Sequence, residues 1–153
     1  MIRITSETQL LETFRPIDRG HVQIPADLKF PFLIRDSVSW VESSGHRTYL
    51  IFHDETTQRP LGIVFERAKT TAETPASMCQ WCHSVHTGGG VTLLTAAVNR
   101  DHRIGAYLCS DLKCQDHVRS TPTVNDLNES LSREERVSRV KQKMIEFARR
   151  NLF

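Results

Sequence analysis

All four cysteines of the chain lie within one stretch, as Cys79-x-x-Cys82 and, after about 26 intervening residues, Cys109-x4-Cys114. Four thiolates at such spacing can close a tetrahedral shell around one Zn2+, with Zn–S bonds of about 2.3 Å and no position left for water. The expectation is a structural zinc site formed by Cys79, Cys82, Cys109 and Cys114. The N-terminus, Met-Ile-Arg-Ile-Thr-Ser-Glu, shows no charged leader followed by an apolar run, and no stretch reaches the length of a membrane span. A cytoplasmic location is therefore expected, and in that reducing compartment clustered cysteines serve as metal ligands more often than as disulfide partners.

Other readings of the cysteines compete. Cys79-Gln-Trp-Cys82-His83 also fits the attachment sequence of a c-type haem. That chemistry normally requires export, and it leaves Cys109 and Cys114 unexplained. A thioredoxin-like redox pair would sit amid alternating strands and helices, which the flanking sequence lacks. Imidazole binds the same ion as thiolate, so His83, His86, His102 and His117 are candidate replacements for a cysteine ligand. His117 is the best placed, three residues beyond Cys114 on the same expected helix, with a supporting role near the metal as the preferred alternative.

The remaining chain reads as an α+β fold, an antiparallel sheet with flanking helices, in a single zinc-binding domain of 153 residues. Its parts are a helix-plus-sheet region over 1–70, a zinc-bearing region over 78–119 and a terminal helix over 132–150. Ser6-x-x-Gln9 opens a short helix over 6–14 that should end before Pro16. Residues 15–31 read as irregular, with an extended piece around Val22–Ile24. From Phe32 to Arg67, β-branched and aromatic runs at Val38–Val41, Tyr49–Phe52 and Leu61–Phe65, broken by turn residues, predict an antiparallel meander. Residues 68–77 form a polar connector.

Val91–Val98 and Ile104–Leu108 then predict a hairpin turning at Asn99–His102. A helix over 112–119 should follow, capped by Ser110 or Asp111. Knuckle, hairpin and helix in that order describe a treble clef. After Thr121-Pro122-Thr123, the box Ser132-x-x-Glu135 opens the terminal helix, with Val137, Val140, Met144 and Phe147 at helical spacing. Its other face carries Arg133, Arg136, Arg139, Lys141, Lys143, Arg149 and Arg150.

Enzymatic chemistry finds no support in the motifs. There is no G-x-S-x-G, no H-E-x-x-H, and no H-x-E paired with the cysteines as in a zinc deaminase. The glycines at 88–90 lack the Lys-Ser/Thr and helix of a phosphate loop and read as a flexible loop. A non-enzymatic protein is expected, with Trp81, Arg100 and Arg103 as partner-binding residues, because aromatic and arginine side chains are enriched at binding hot spots. The net charge of +2 is weak for a nucleic-acid binder, so RNA binding through the basic terminal helix is the alternative reading.

Cys79-Gln-Trp-Cys82-His83, the intervening hairpin and Tyr107-Leu-Cys109-Ser-Asp-Leu-Lys-Cys114 resemble the zinc-finger domain of the elongation factor G-binding protein family, which includes the fusidic acid resistance proteins. The resemblance runs from the sheet region to the terminal helix. It implies a treble clef held by these four cysteines, and a surface that binds elongation factor G on or near the ribosome and promotes its release. The resistance proteins carry an N-terminal helical bundle for which this chain has no room, so the domain is expected to stand alone.

Overall fold

The computed structural model describes residues 1–68, 77–86, 88–120 and 131–153. A five-stranded antiparallel sheet forms the centre of the α+β fold, in the order β3 (Ser37–Val41), β4 (Arg47–Asp54), β5 (Arg59–Arg67), β8 (Val91–Ala97) and β9 (Arg103–Cys109). The expected meander and the expected hairpin are thus one sheet, because β8 pairs with β5 through Glu66–Thr95 and Arg67–Leu94. Two short strands, β6 (Ser77–Met78) and β7 (Val85–His86), make a separate ribbon.

Side chains alternate across a strand, and here both faces are covered. Tyr49 and Ile51 point into one apolar cluster with Ile4, Leu10, Phe14, Ile34 and Val64. Leu50 and Phe52 point into the other, shared with Ile63, Phe65, the four cysteines and the inner stripe of the terminal helix. Double burial explains why Tyr49–Phe52 reads as an unbroken apolar run.

The first face is closed by the N-terminal segment. Ser6 caps α1 (Glu7–Glu12), its hydroxyl accepting the Gln9 N–H, while the Gln9 side chain accepts the Thr5 N–H. Phe14 then packs edge-on against Trp40 and Tyr49. Beneath it, the Gly62 N–H donates to the Thr13 carbonyl at 2.8 Å. A Cβ at Gly62 would stand 2.7 Å from the Phe14 ring and 2.8 Å from the Thr13 hydroxyl, so this approach requires glycine.

Several local expectations are corrected. Pro16 does not merely stop α1; it starts α2 (Pro16–Arg19), where its fixed φ and missing N–H suit a first helical position. Val22–Ile24 forms no strand, although both apolar side chains pack against the N-terminal cluster. β1 (Ile2–Ile4), unforeseen, pairs with β2 (Phe32–Ile34), so Phe32 belongs to that two-stranded sheet and not to the meander. The helix expected over 112–119 is α3 (Cys114–Ser120), delayed because Leu112 sits in the left-handed region at φ 55°. The terminal helix is α4 (Arg133–Asn151), with the complete capping box between Ser132 and Glu135. Most of the 68–77 connector and the Thr121–Thr123 break fall outside the described residues.

Asp36, just before β3, ties the halves together. Its carboxylate meets Arg119 of α3 at 2.7 Å and Lys141 of α4 at 3.1 Å. Burial pushes its pKa up, but Lys141 and Arg119 outweigh that and hold it below the ordinary value of 3.8. A depressed carboxylate stabilises the fold above its unfolded pKa, and the contribution is lost as pH falls through the folded value. Below about pH 4, Asp36→Asn should therefore show a shallower loss of stability than the parent in denaturant titrations of the zinc-loaded protein. Gly62→Ala should lower unfolding stability by about 1–3 kcal/mol through overpacking against Phe14, read from urea melts at constant m-value.

Candidate metal centre

The centre is assembled from three pieces of backbone. The β6–β7 ribbon pairs Met78 with Val85 and holds Cys79 and Cys82 in its turn, where the Cys79 N–H donates to Ser84 O and the His83 N–H to Cys79 O, both at 2.9 Å. His83 takes φ 61°, which closes the turn. Cys109 ends β9, and the Leu112 N–H donates back to its carbonyl at 3.0 Å. Cys114 opens α3 after the Asp111 carboxylate has accepted the Lys113 N–H at 2.9 Å. Asp111 thus closes the turn before the helix and does not cap α3 itself, as expected of it or Ser110, because α3 begins two residues later than the sequence implied.

All four Sγ atoms lie within 4.8 Å of one another, and all four residues are buried. Cys79 and Cys114 are 3.7 Å apart and Cys82 and Cys109 3.5 Å, too long for disulfides. Tetrahedral sulfurs at about 2.3 Å from one ion stand about 3.8 Å apart, close to these two separations, so the donor set suits Zn2+. The thiols also polarise one another: hydrogen bonds from Cys109 and Cys114 hold Cys82 far below the usual thiol range, while those two groups are pushed up. Such a set cannot hold four negative charges without a cation, and zinc supplies the balancing charge when bound.

The histidines divide. His117 Nδ1 lies 3.3 Å from Cys109 Sγ and its Nε2 lies 3.4 Å from Asp111, a bridge that orients a sulfur ligand. His86 stacks near it with ring centroids 5.1 Å apart, and with Cys109 the two form a second group of convergent donors. His83 belongs to the knuckle turn, and His102 is exposed in the β8–β9 turn; neither joins a metal-capable group among the described residues.

Trp81 is placed differently from the expectation. It is 3% exposed and packs against Phe65 and Phe147, so it is mostly a core residue that seats the knuckle on α4. Arg100 is exposed at the hairpin turn as expected. Arg103 is exposed but tethered, donating to Thr95 and facing Glu66 at 3.5 Å. The basic face of α4 is also less free than its sequence implies: Arg136 is buried, Lys141 pairs with Asp36 and Glu55, and Arg149 pairs with Asp54.

Gln80 was not foreseen. Its N–H donates to Tyr107 O at 2.8 Å and its side-chain oxygen accepts the Tyr107 N–H at 3.0 Å, stapling the knuckle to β9. Nothing in the spacing of Gln80 distinguishes it from a solvated knuckle residue.

Knuckle, hairpin and helix around four buried thiols define a treble-clef zinc finger. The model of the FBP C-terminal treble-clef zinc-finger family matches residues 10–150, and the chain belongs to that family. No curated protein matches the chain. Among solved structures, that of the fusidic acid resistance protein FusC is similar, with a TM-score of 0.52 and 18% identity, covering 74% of this chain and 52% of FusC. The chain therefore spans about half the length of FusC, and the likeness is one of fold. No helix among the described residues is long and apolar enough to cross a membrane.

Metal analysis should find one zinc per chain, and Cys114→Ser should lose it. Because structural zinc binding is itself folding free energy, chelation should lower the melting temperature and reduce the helical circular dichroism. A chelated protein that keeps the parent's melting temperature would refute the bracing role.

Proposed function

We propose that this protein binds elongation factor G through the surface its zinc clef keeps in place, promotes release of the factor from the ribosome, and catalyses no reaction. The observation that carries the reading is a treble clef with four buried thiols, in a family match spanning nearly the whole chain. The similarity to a fusidic acid resistance protein supports the same direction. A closed four-sulfur shell favours a structural over a hydrolytic ion, since it leaves no site for an activated water. The cytosol, where translation takes place, is the compartment this function requires.

Arg100 is the candidate contact that stands free on the surface, at the tip of the β8–β9 hairpin. Arg103 supports that tip from the sheet through Thr95 and Glu66. RNA binding through α4 is the weaker reading, because ion pairs engage Lys141 and Arg149 and Arg136 lies in the core.

Calorimetric titration of the zinc-loaded protein with elongation factor G should give saturable binding at physiological salt. Arg100→Ala should weaken it about fivefold, the effect of a loss near 1 kcal/mol at an interface contact. Retention of naked RNA with steep salt dependence, and none of the factor, would favour the alternative.

A further inference from the structure

An open sheet edge runs along β9. In the β8–β9 ladder, the Val98 N–H donates to His102 O at 2.8 Å and the Ser110 N–H to Gly90 O at 2.9 Å. These bonded pairs have one parity. Arg103, Gly105 and Tyr107 have the other, so their N–H and C=O groups point away from β8. At Tyr107 both outward groups are taken by Gln80, which makes the two bonds that one residue of a sixth strand would make. Beyond that point β9 is, among the described residues, the last strand of the sheet, and the outward groups of Arg103 and Gly105, both exposed residues, meet no described main-chain partner. At the opposite edge, on β3, the contact to the turn before α3 is a side-chain one, the Ser39 hydroxyl donating to Asp111 O.

Natural proteins blunt exposed edges with proline, bulges or inward charges. β9 has no proline, pairs with β8 in unbroken register, and carries an exposed glycine, Gly105; its edge charge, Arg103, is turned back onto Thr95 and Glu66. Beside it lies a cleft of about 260 Å3 with Ala106, Trp81 and Phe147 among its walls and Lys143 and Arg150 from α4. Glu146 is the acidic residue of that lining. Among the described residues Lys143 and Arg150 have no ion-pair partner, so with Glu146 between them the cleft presents an apolar floor and a lining with more cations than anions to whatever lies along the edge.

We infer that β9 receives an extended segment of a partner protein as an added strand over Arg103–Gly105. Main-chain bonds to the outward groups hold the segment. One face of its side chains lies over Ala106 and Phe147, and an acidic residue faces Lys143 and Arg150. Gln80 ends the site on the knuckle side, which makes the zinc clef a stop that sets the register of the incoming strand. The inference rests on the proposed reading for the identity of the partner, elongation factor G.

The test is titration of the zinc-loaded chain with elongation factor G, read by calorimetry and by amide hydrogen exchange in the same complex. Gly105→Pro removes an outward N–H while its carbonyl and the bonds of Ile104 and Ala106 to β8 remain; its new Cβ would stand 3.1 Å from the Leu93 side chain, 3.2 Å from the Thr95 methyl and 3.4 Å from the Leu94 carbonyl. It should weaken binding about tenfold, the loss of one buried main-chain bond with its acceptor left unpaired. Independently of that variant's folding, the Arg103 and Gly105 amides of the parent should become protected on binding, while Ala106, already bonded to β8, should not change. The double variant Lys143→Glu, Arg150→Glu should weaken binding further. Factor binding with unprotected Arg103 and Gly105 amides overturns the added strand and leaves the functional reading standing. No binding by the parent overturns both.

Discussion

Four sulfurs that cannot all be charged without a cation are the constraint on which the rest of the structure depends. Cys79 and Cys82 come from a ribbon of two two-residue strands, which has little core of its own. Cys109 and Cys114 come from the end of the main sheet and the start of a helix. Zinc joins the weak element to the strong one. Trp81 and Gln80 complete the attachment, the first by packing on Phe65 and Phe147 and the second by its paired bonds to Tyr107. A metal with a closed shell acts as a brace; it removes the freedom of a segment that would otherwise gain too little burial to stay ordered.

The same centre is continuous with the core. The cysteines share an apolar cluster with Phe52, Phe65, Val140 and Met144, so the clef is not a lobe hung on a finished domain. Asp36 reinforces that unity from the opposite side by gripping α3 and α4 together. A disturbance at the metal is therefore transmitted to the sheet and the terminal helix through direct packing. Mutational losses at the clef and in the sheet should not add independently where the side chains touch.

Much of this was legible in the chain because it depends on local pattern. The cysteine pairs, the capping boxes at Ser6 and Ser132, and the β-branched runs each report a short-range preference that the fold respects. What stayed hidden depends on contacts between distant residues. The partner of Ile2–Ile4 is thirty residues away in the chain, the reach of Arg119 and Lys141 to Asp36 crosses most of it, and the burial of Arg136 follows from which face of α4 the sheet covers. Periodicity alone gave Arg136 a place on the basic face, and packing moved it inside.

The zinc cysteines themselves were determined by the sequence, since ligand type and spacing specify the chemistry whatever the surrounding topology. Tertiary structure decided what the clef displays. It buried Trp81, whose large apolar ring is better satisfied against Phe65 and Phe147 than in water. It made the two expected sheet regions into one by pairing β5 with β8, and among the described residues it left β9 as an edge because no later strand pairs with it. Strand order is a property of long-range pairing, which residue spacing within any one strand does not encode.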